Sequence, residues 1–438
     1  MLDIKFIREN VEVVKKAIAN KRVDFNLDYF LTLDEHRRSK IQEVEGLRAE
    51  QNRVTEEIAE LAGGERERQI AEMKELKAKL GDLEFELKAL EDEYLERAYE
   101  IPNIPLDDVP VGPDESGNSE IRKWGDIPTF DFEPKDHVAL GEALGVIDIE
   151  RAGKVVGSRF GYFKGAAALL EFALIQHTTK VLTSPDSLQE IARMVGPAFS
   201  PKPFVPVVPP VMIRPDVFRR MARLSPADKD ERYYLPQDDL YLVGSAEHTL
   251  GSMHMDEIIE ESDLPIRYLG FSTSFRREAG SYGKDTRGVL RVHQFDKLEM
   301  ESFTTADQSL DEHNFFVAVQ EYLLRSLNLP YRVVFICTGD MGKPDAHQVD
   351  MECWFPSQGR YRETHTADYM TDFQARRLNT RIRRNDGTTE LAHMNDATAF
   401  AIGRTIIAIL ENYQRKDGSV KIPEALLPYM HGIMEIKK

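Results

Sequence analysis

Arg276 and Glu278 stand two apart in the string Phe275-Arg-Arg-Glu278, and on a strand that spacing puts both side chains on one face. An arginine fork beside a carboxylate can hold a phosphate and a base edge together, because guanidinium meets phosphate through two parallel hydrogen bonds. The run Gly-Ser-Tyr-Gly-Lys-Asp-Thr-Arg-Gly at 280–288 reads as a loop, with a returning strand from Val289 towards Glu299. An ion-pair lattice on an exposed sheet would use the same residues without a ligand.

Two further segments carry chemistry. Glu363 has a hydroxyl three residues on, at Thr366, and this oxygen pair could hold Mg²⁺, a hard ion that keeps several of its waters. A hairpin without metal is the plainer reading. Ala399–Leu410 is apolar nearly all round except for Arg404 and Thr405, which reads as a buried helix. A buried arginine needs a carboxylate or an anionic ligand beside it.

The elements that must position these residues divide the chain. Up to about Glu100 the sequence is rich in Glu, Lys, Arg, Ala and Leu and has no proline. A short helix is expected near Ile4–Asn20. Met73, Leu76, Leu80, Leu83, Leu87, Leu90 and Tyr94 then step by three and four, the seam of a coiled coil, and Val44, Leu47, Gln51, Val54, Ile58 and Leu61 repeat the pattern. Ala62-Gly63-Gly64 between them marks a reversal, so the segment 27–100 reads as an antiparallel hairpin. Arg37, Arg38, Lys40, Arg48 and Arg53 make its ascending helix locally basic. Such a stripe could meet an RNA backbone; a dimerising or spacer coiled coil with a solvated face is the other reading. Pro102, Pro105, Pro110 and Pro113 then end the helix. The expected organisation is a helical arm over 1–101, a proline-rich linker over 102–127, and an α+β domain over 128–438.

Composition excludes some classes. A net charge of −18 argues against nonspecific nucleic-acid binding through the whole surface and leaves only a local basic stripe for that role. Two cysteines, Cys337 and Cys353, without Cys-x-x-Cys spacing, argue against a disulfide framework and against zinc, and fit a reducing cytoplasm. No apolar run reaches the length of a membrane span and none near Met1 reads as a signal peptide.

Phe-Arg-x-Glu, followed more than a hundred residues later by Gly-Arg on an apolar helix, resembles motifs 2 and 3 of class II aminoacyl-tRNA synthetases. The longer strings FRREAGSYGKDTRGVLRVHQFDKLEM, DFQARRLN and AIGRTIIAILENYQ resemble the bacterial-type seryl-tRNA synthetase family, and the likeness runs through the whole chain, arm included. It implies a six- to eight-stranded, mainly antiparallel catalytic sheet flanked by helices, an antiparallel two-helix coiled-coil arm, and a homodimer, with motif 1 around Gly196–Arg214 and a strand-ending Pro209. The implied reaction is ATP- and Mg²⁺-dependent charging of serine tRNA with L-serine through a seryl-adenylate. The arm, with Arg37, Arg38, Lys40, Arg48 and Arg53, would grip the long variable arm of that tRNA. Whether selenocysteine tRNA is a second acceptor stays open.

Roles follow position by position from the resemblance. Arg276 would hold the α-phosphate and the serine carboxylate, Glu278 the adenine amino group, Phe295 the adenine ring, and Arg404 the far end of the triphosphate. Glu363 and Thr366 would hold Mg²⁺, and Arg277, Val292, Thr364 and His365 would complete the ATP site. Ser245, Ala246 and Glu247 would receive the substrate amino group, with Glu299 and Thr398 taking its hydroxyl and amino groups and Asp396 beside them. Departures gather at this end. Ser245 replaces a family threonine, Thr366 a serine, Asp368 and Tyr369 a Ser-Asn pair, and Asp396-Ala397-Thr398 an Asn-Gly-Ser/Thr. Drift accounts for them, as does an altered amino-acid preference. A ligase acting on another carrier would lack the arm, and a non-catalytic tRNA-binding paralogue would be free to lose Arg276, Glu278 or Arg404.

Overall fold

The computed structural model describes residues 1–196, 199–225, 229–279 and 288–438. The chain divides into two compact units, Met1–Pro102 and Asn103–Lys438. The loop expected at 280–288 lies, all but Gly288, outside the described residues.

The first unit contains four helices: α1 (Ile4–Glu9), α2 (Val11–Asn20), α3 (Leu27–Glu60) and α4 (Gly63–Glu100). The single helix expected over Ile4–Asn20 is two, because Asn10 turns the chain between them. Its backbone leaves helical angles, and both its N–H and its side-chain amide donate to the Phe6 carbonyl, the kind of local bond by which asparagine competes with a helix. Asn26 caps α3 by accepting from the Tyr29 N–H at 3.0 Å. The reversal falls at Leu61 and Ala62, both extended, and Gly63 opens α4 at a positive φ of 65°.

The seam closes as the three-four spacing requires. Val44, Leu80 and Leu83 are buried together with Leu47 and Leu87 against them, and Val54 and Met73 are buried nearer the tip. At the base Phe30 stacks on Tyr94, with ring centres 5.2 Å apart, and Arg8 makes a two-point pair with buried Asp34. The hairpin has little core beyond this line. Leu80→Ala should therefore cost the arm about 2 kcal/mol and lower a melting step seen by circular dichroism at 222 nm, leaving the melting of the second unit in place.

The second unit is built on an eight-stranded sheet. Its strands are β1 (Ser119–Trp124), β2 (Val205–Val207), β3 (Ile266–Phe275), β4 (Gln294–Thr304), β5 (Tyr331–Phe335), β6 (His347–Phe355), β7 (Arg360–Tyr369) and β8 (His393–Ala401). Their order is β1-β5-β6-β7-β8-β4-β3-β2, antiparallel throughout except between β2 and β3. The proline-rich stretch supplies edge strand β1, and Asn103 ahead of it is buried, its amide donating to the carbonyls of Pro344 and Met370.

Strand alternation gives this sheet two unlike faces. Leu298, Met300, Val349, Met351, Ala367, Ala397 and Ala399 point into the main core. There they meet helices α5 (Ala166–Thr183), α6 (Ser309–Ser326) and α7 (Ile402–Asn412). Lys297, Glu299, Glu301, Thr398, Asp396, Asp368 and Thr366 belong to the opposite parity and form a polar face. The helix expected over Ala399–Leu410 begins only at Ile402; residues 399–401 finish β8. An unbroken apolar run does not by periodicity distinguish a buried strand from a buried helix.

Candidate active site

The polar face and the strand ends around it bring the sequence-selected residues together. β3 ends at Phe275, but the ladder continues one step: the Arg276 N–H donates to the His293 carbonyl at 3.0 Å, and His293 Nδ1 lies 3.0 Å from the Arg276 carbonyl. The chain then leaves the sheet and Glu278 takes a left-handed φ of 51°. Arg276 and Glu278 therefore do not share a strand face. They are brought to one pocket by the turn, and Arg291 on the return donates to Glu278 at 3.1 Å. Arg276 reaches inward, with Nε donating to the Gly244 carbonyl at 3.2 Å and its guanidinium 5.3 Å from the centre of the Phe295 ring. Arg277 points elsewhere, over Tyr233.

Glu363 and Thr366 are three apart, which on a regular strand would place them on opposite faces. A β-bulge corrects this. Glu363 pairs with Glu352 and Thr366 with Asp350, two positions apart on β6, so both turn to the same face. Thr364 and His365 are buried at the bulge. Arg404, in the first turn of α7, donates to the Glu363 main-chain oxygen at 3.0 Å and to its carboxylate at 2.9 Å. Loss of water around Glu363 would raise its carboxyl, but the guanidinium of Arg404, then those of Arg276 and Arg291, outweigh that and hold it below its ordinary value. Arg276, Glu278, Val292, Phe295, Glu363, Thr364, Thr366 and Arg404 line one pocket. Its lining thus combines the guanidinium groups of Arg276 and Arg404 with the aromatic ring of Phe295.

Oxygen donors suitable for a hard cation are present at Glu363 and Thr366, with Asp350 opposite Thr366. Gln348 donates to both Asp350 and Thr366, at 3.2 Å each. Among the described residues no group of three or more histidine, cysteine or acidic side chains could hold a metal ion without other ligands. A metal here would need oxygens from a bound phosphate chain.

The adjoining end of the face is acidic. Ser245 Oγ donates to Glu299 at 2.9 Å, and Lys297 donates to Ser245 at 3.3 Å and ion-pairs with Glu299. Ala246 is buried behind them and Glu247 opens a single helical turn. Asp368, Asp396 and Glu301 occupy one row across three adjacent strands, since Asp396 pairs in register with both of the others. Like charges directly opposite repel. Burial first, and then its acidic neighbours, push Asp396 well above the usual carboxylate range. Glu301 is driven the same way, by burial and by Glu247 and Glu299.

Among the described residues, Arg223 is the cation seen to answer this row. Arg223 ion-pairs with Glu247 and reaches Asp396 at 3.3 Å, Asp368 at 3.6 Å and Asp345 at 3.9 Å. Burial alone would lower its pKa, but the carboxylates of Glu247, Asp345, Asp396 and Asp368 together raise it well above the ordinary arginine value. Sequence reading missed Arg223, Asp345, Arg291 and Glu301. The alternation Lys-x-Glu-x-Glu at 297–301 was a signal for Glu301. Arg223 had none, because its partners lie far along the chain on other elements.

The five basic residues singled out on the ascending helix are all paired. Arg38 meets Asp34, Arg37 approaches Glu91 at 3.9 Å and lies over Tyr94, Lys40 bonds Glu86, Arg48 bonds Glu84, and Arg53 bonds Glu57.

Comparison with known proteins adds to this geometry. Residues 233–413 match the family described as tRNA synthetase class II core domain (G, H, P, S and T), and residues 1–105 match the seryl-tRNA synthetase N-terminal domain. A serine–tRNA ligase of Dictyoglomus turgidum is 42% identical, the match covering 100% of this chain and 99% of the relative. One of Thermodesulfovibrio yellowstonii is 42% identical over 98% of this chain and 99% of its own. Among solved structures, seryl-tRNA synthetase from Pyrococcus horikoshii complexed with ATP superposes with a TM-score of 0.86 at 38% identity, covering 100% of this chain and 99% of that one. Cytoplasmic serine–tRNA ligase from Naegleria fowleri in complex with AMP gives 0.83 at 28% identity, with the same coverage.

Proposed function

Since the chain belongs to the seryl-tRNA synthetase family, a class II aminoacyl-tRNA synthetase family, we propose that it activates L-serine with ATP and passes the seryl group to serine tRNA through the residues gathered on the polar face. The observation that supports this assignment of residues best is the single pocket that joins Arg276, Glu278, Phe295, Glu363, Thr366, Thr398 and Arg404, with Lys297 on its lining bonded onward to Ser245 and Glu299.

The chemistry needs no protein nucleophile. A serine carboxylate oxygen attacks the α-phosphorus of ATP, the bond from that phosphorus to the bridging oxygen breaks, and pyrophosphate leaves. Arg276 holds the carboxylate and the α-phosphate in line and stabilises charge on the phosphoryl oxygens as it builds. Phe295 stacks on the adenine, Glu278 accepts from its amino group, and Arg404 binds the far end of the triphosphate. Glu363 and Thr366, with oxygens of the triphosphate, would hold Mg²⁺, which supplies neutralisation of the phosphate charge. Glu247 takes the serine ammonium, while Glu299 and Thr398 bind its hydroxyl and amino groups. A terminal ribose hydroxyl of the tRNA then attacks the acyl carbon, and AMP leaves. Alanine is rejected because it would strand the buried polar partners of the hydroxyl.

The arm is proposed to hold the long variable arm of serine tRNA, by shape and backbone more than by sequence. Arg48 and Arg53 sit in exposed ion pairs, which contribute little and exchange readily for phosphate. The working form is proposed to be a cytoplasmic homodimer. No helix among the described residues is long and apolar enough to cross a membrane.

Amino-acid-dependent ATP–pyrophosphate exchange without tRNA tests the assignment. Serine should support exchange at least about 100-fold better than alanine, glycine or threonine. Exchange with none of the four would overturn it.

A further inference from the structure

The acidic end of the polar face, beside the pocket, is crowded with buried carboxylates. Glu247, Asp345, Asp368, Asp396, Glu299 and Glu301 converge there, and Arg223 and Lys297 meet them. Lys297 serves Glu299. Arg223 alone reaches four of the six, with only 16% of its side chain exposed. Behind it Glu301 is fully buried, and neither of its carboxylate oxygens has a hydrogen-bond partner. Glu301 lies in register with Asp396, which Arg223 binds, so the unpartnered acid faces the same cage. Burying carboxylates in such numbers is costly unless a cation is present. The cage is thus a cation site, occupied by a side chain of this chain itself.

We propose that Arg223 is the specificity-determining residue of the amino-acid subsite: its guanidinium fills an acidic cage that would otherwise accept the cationic side chain of a small diamino acid. This rests on the assignment of Glu247 as the receiver of the substrate ammonium. Glu247 is shared. Arg223 binds one of its oxygens, so the substrate ammonium and the arginine meet at one carboxylate. A side-chain ammonium one or two carbons beyond the α-carbon would compete for the place of the guanidinium. Serine, whose hydroxyl is neutral, does not. Arginine suits the role because its planar, always charged fork can serve several carboxylates at once.

The test is ATP–pyrophosphate exchange by the full chain with L-serine, L-2,3-diaminopropionate and L-2,4-diaminobutyrate, in wild type, Arg223→Ala and Arg223→Gln. Wild type should prefer serine. Arg223→Ala should shift the ratio of kcat/KM values towards the diamino acids by about 100-fold, the scale of an unpaired buried polar group. Millimolar guanidinium chloride should move that ratio back towards wild type. Arg223→Gln keeps part of the volume and an amide donor, and should shift the ratio the same way by about tenfold, which covers the case in which the alanine variant does not fold. An unchanged ratio in the glutamine variant, or loss of exchange with every amino acid in a folded Arg223→Ala protein, would overturn the proposal. Absence of serine exchange in wild type is a different failure, and counts against the residue assignment it rests on.

Discussion

Arg276→Ala should lower kcat/KM for serine-dependent ATP–pyrophosphate exchange about 10³-fold, close to 4 kcal/mol of transition-state stabilisation. The size follows from position. Arg276 stands where the strand ladder ends, with its guanidinium held by one bond to the Gly244 carbonyl and by the face of Phe295. These contacts aim the group and use only its Nε donor, so most of the fork is available to a carboxylate and a phosphoryl oxygen together. Arg276→Lys keeps the charge and loses the fork, and should fall between, at roughly 10²-fold. Thermal stability should barely move in either variant, since one long hydrogen bond is lost. If the residue served only an ion-pair lattice, the opposite pattern would appear: a lower melting temperature and unchanged exchange.

Removing the distal arm should separate the two half-reactions. The ion pair between Lys40 and Glu86 marks a place to cut: deleting residues 41–85 and joining the ends through a short glycine turn keeps the Phe30–Tyr94 stack and the Arg8–Asp34 pair at the base. Exchange should stay within about twofold of the full chain, while charging of serine tRNA falls roughly 10³-fold, the scale of several lost phosphate contacts. Charging by the full chain should also weaken as salt rises, and exchange should not. Equal loss of both activities in the shortened chain would show that the arm acts on the amino-acid step as well.

Much of this was legible in residue spacing. The seam residues Val44, Leu80 and Leu83 are buried because three-four periodicity leaves an isolated hairpin no other line to bury. The residues that meet in one pocket, proposed here for ATP, were legible as candidates because their motifs are local: Arg276 to Phe295 spans one strand pair, and Glu363 to Thr366 one bulge. Two local details were not. The bulge that turns Glu363 and Thr366 to one face appears only when register with β6 is known. The left-handed Glu278 breaks the strand that two-residue spacing suggested. At the amino-acid end the limit was of another kind. Asp396 was visible as an added negative charge, but its answer, Arg223, comes from a segment 173 residues away and carries no motif of its own. Long-range charge compensation of this type is a property of the folded neighbourhood, and a single sequence does not print it.

The pairing of β1 with β5 has a consequence for how the chain is made. Glu120 pairs with Val334, a partner that leaves the ribosome roughly 200 residues later, or about 10–40 s at ordinary rates of synthesis. During that interval the arm, whose seam and ion pairs join residues within the first hundred, can fold by itself, while the edge strand waits with its backbone N–H and C=O groups unpaired. An open strand is a template for other chains. Its sequence, Ser-Glu-Ile-Arg-Lys-Trp, carries three charges in six residues, a pattern that keeps a waiting edge in water until β5 arrives.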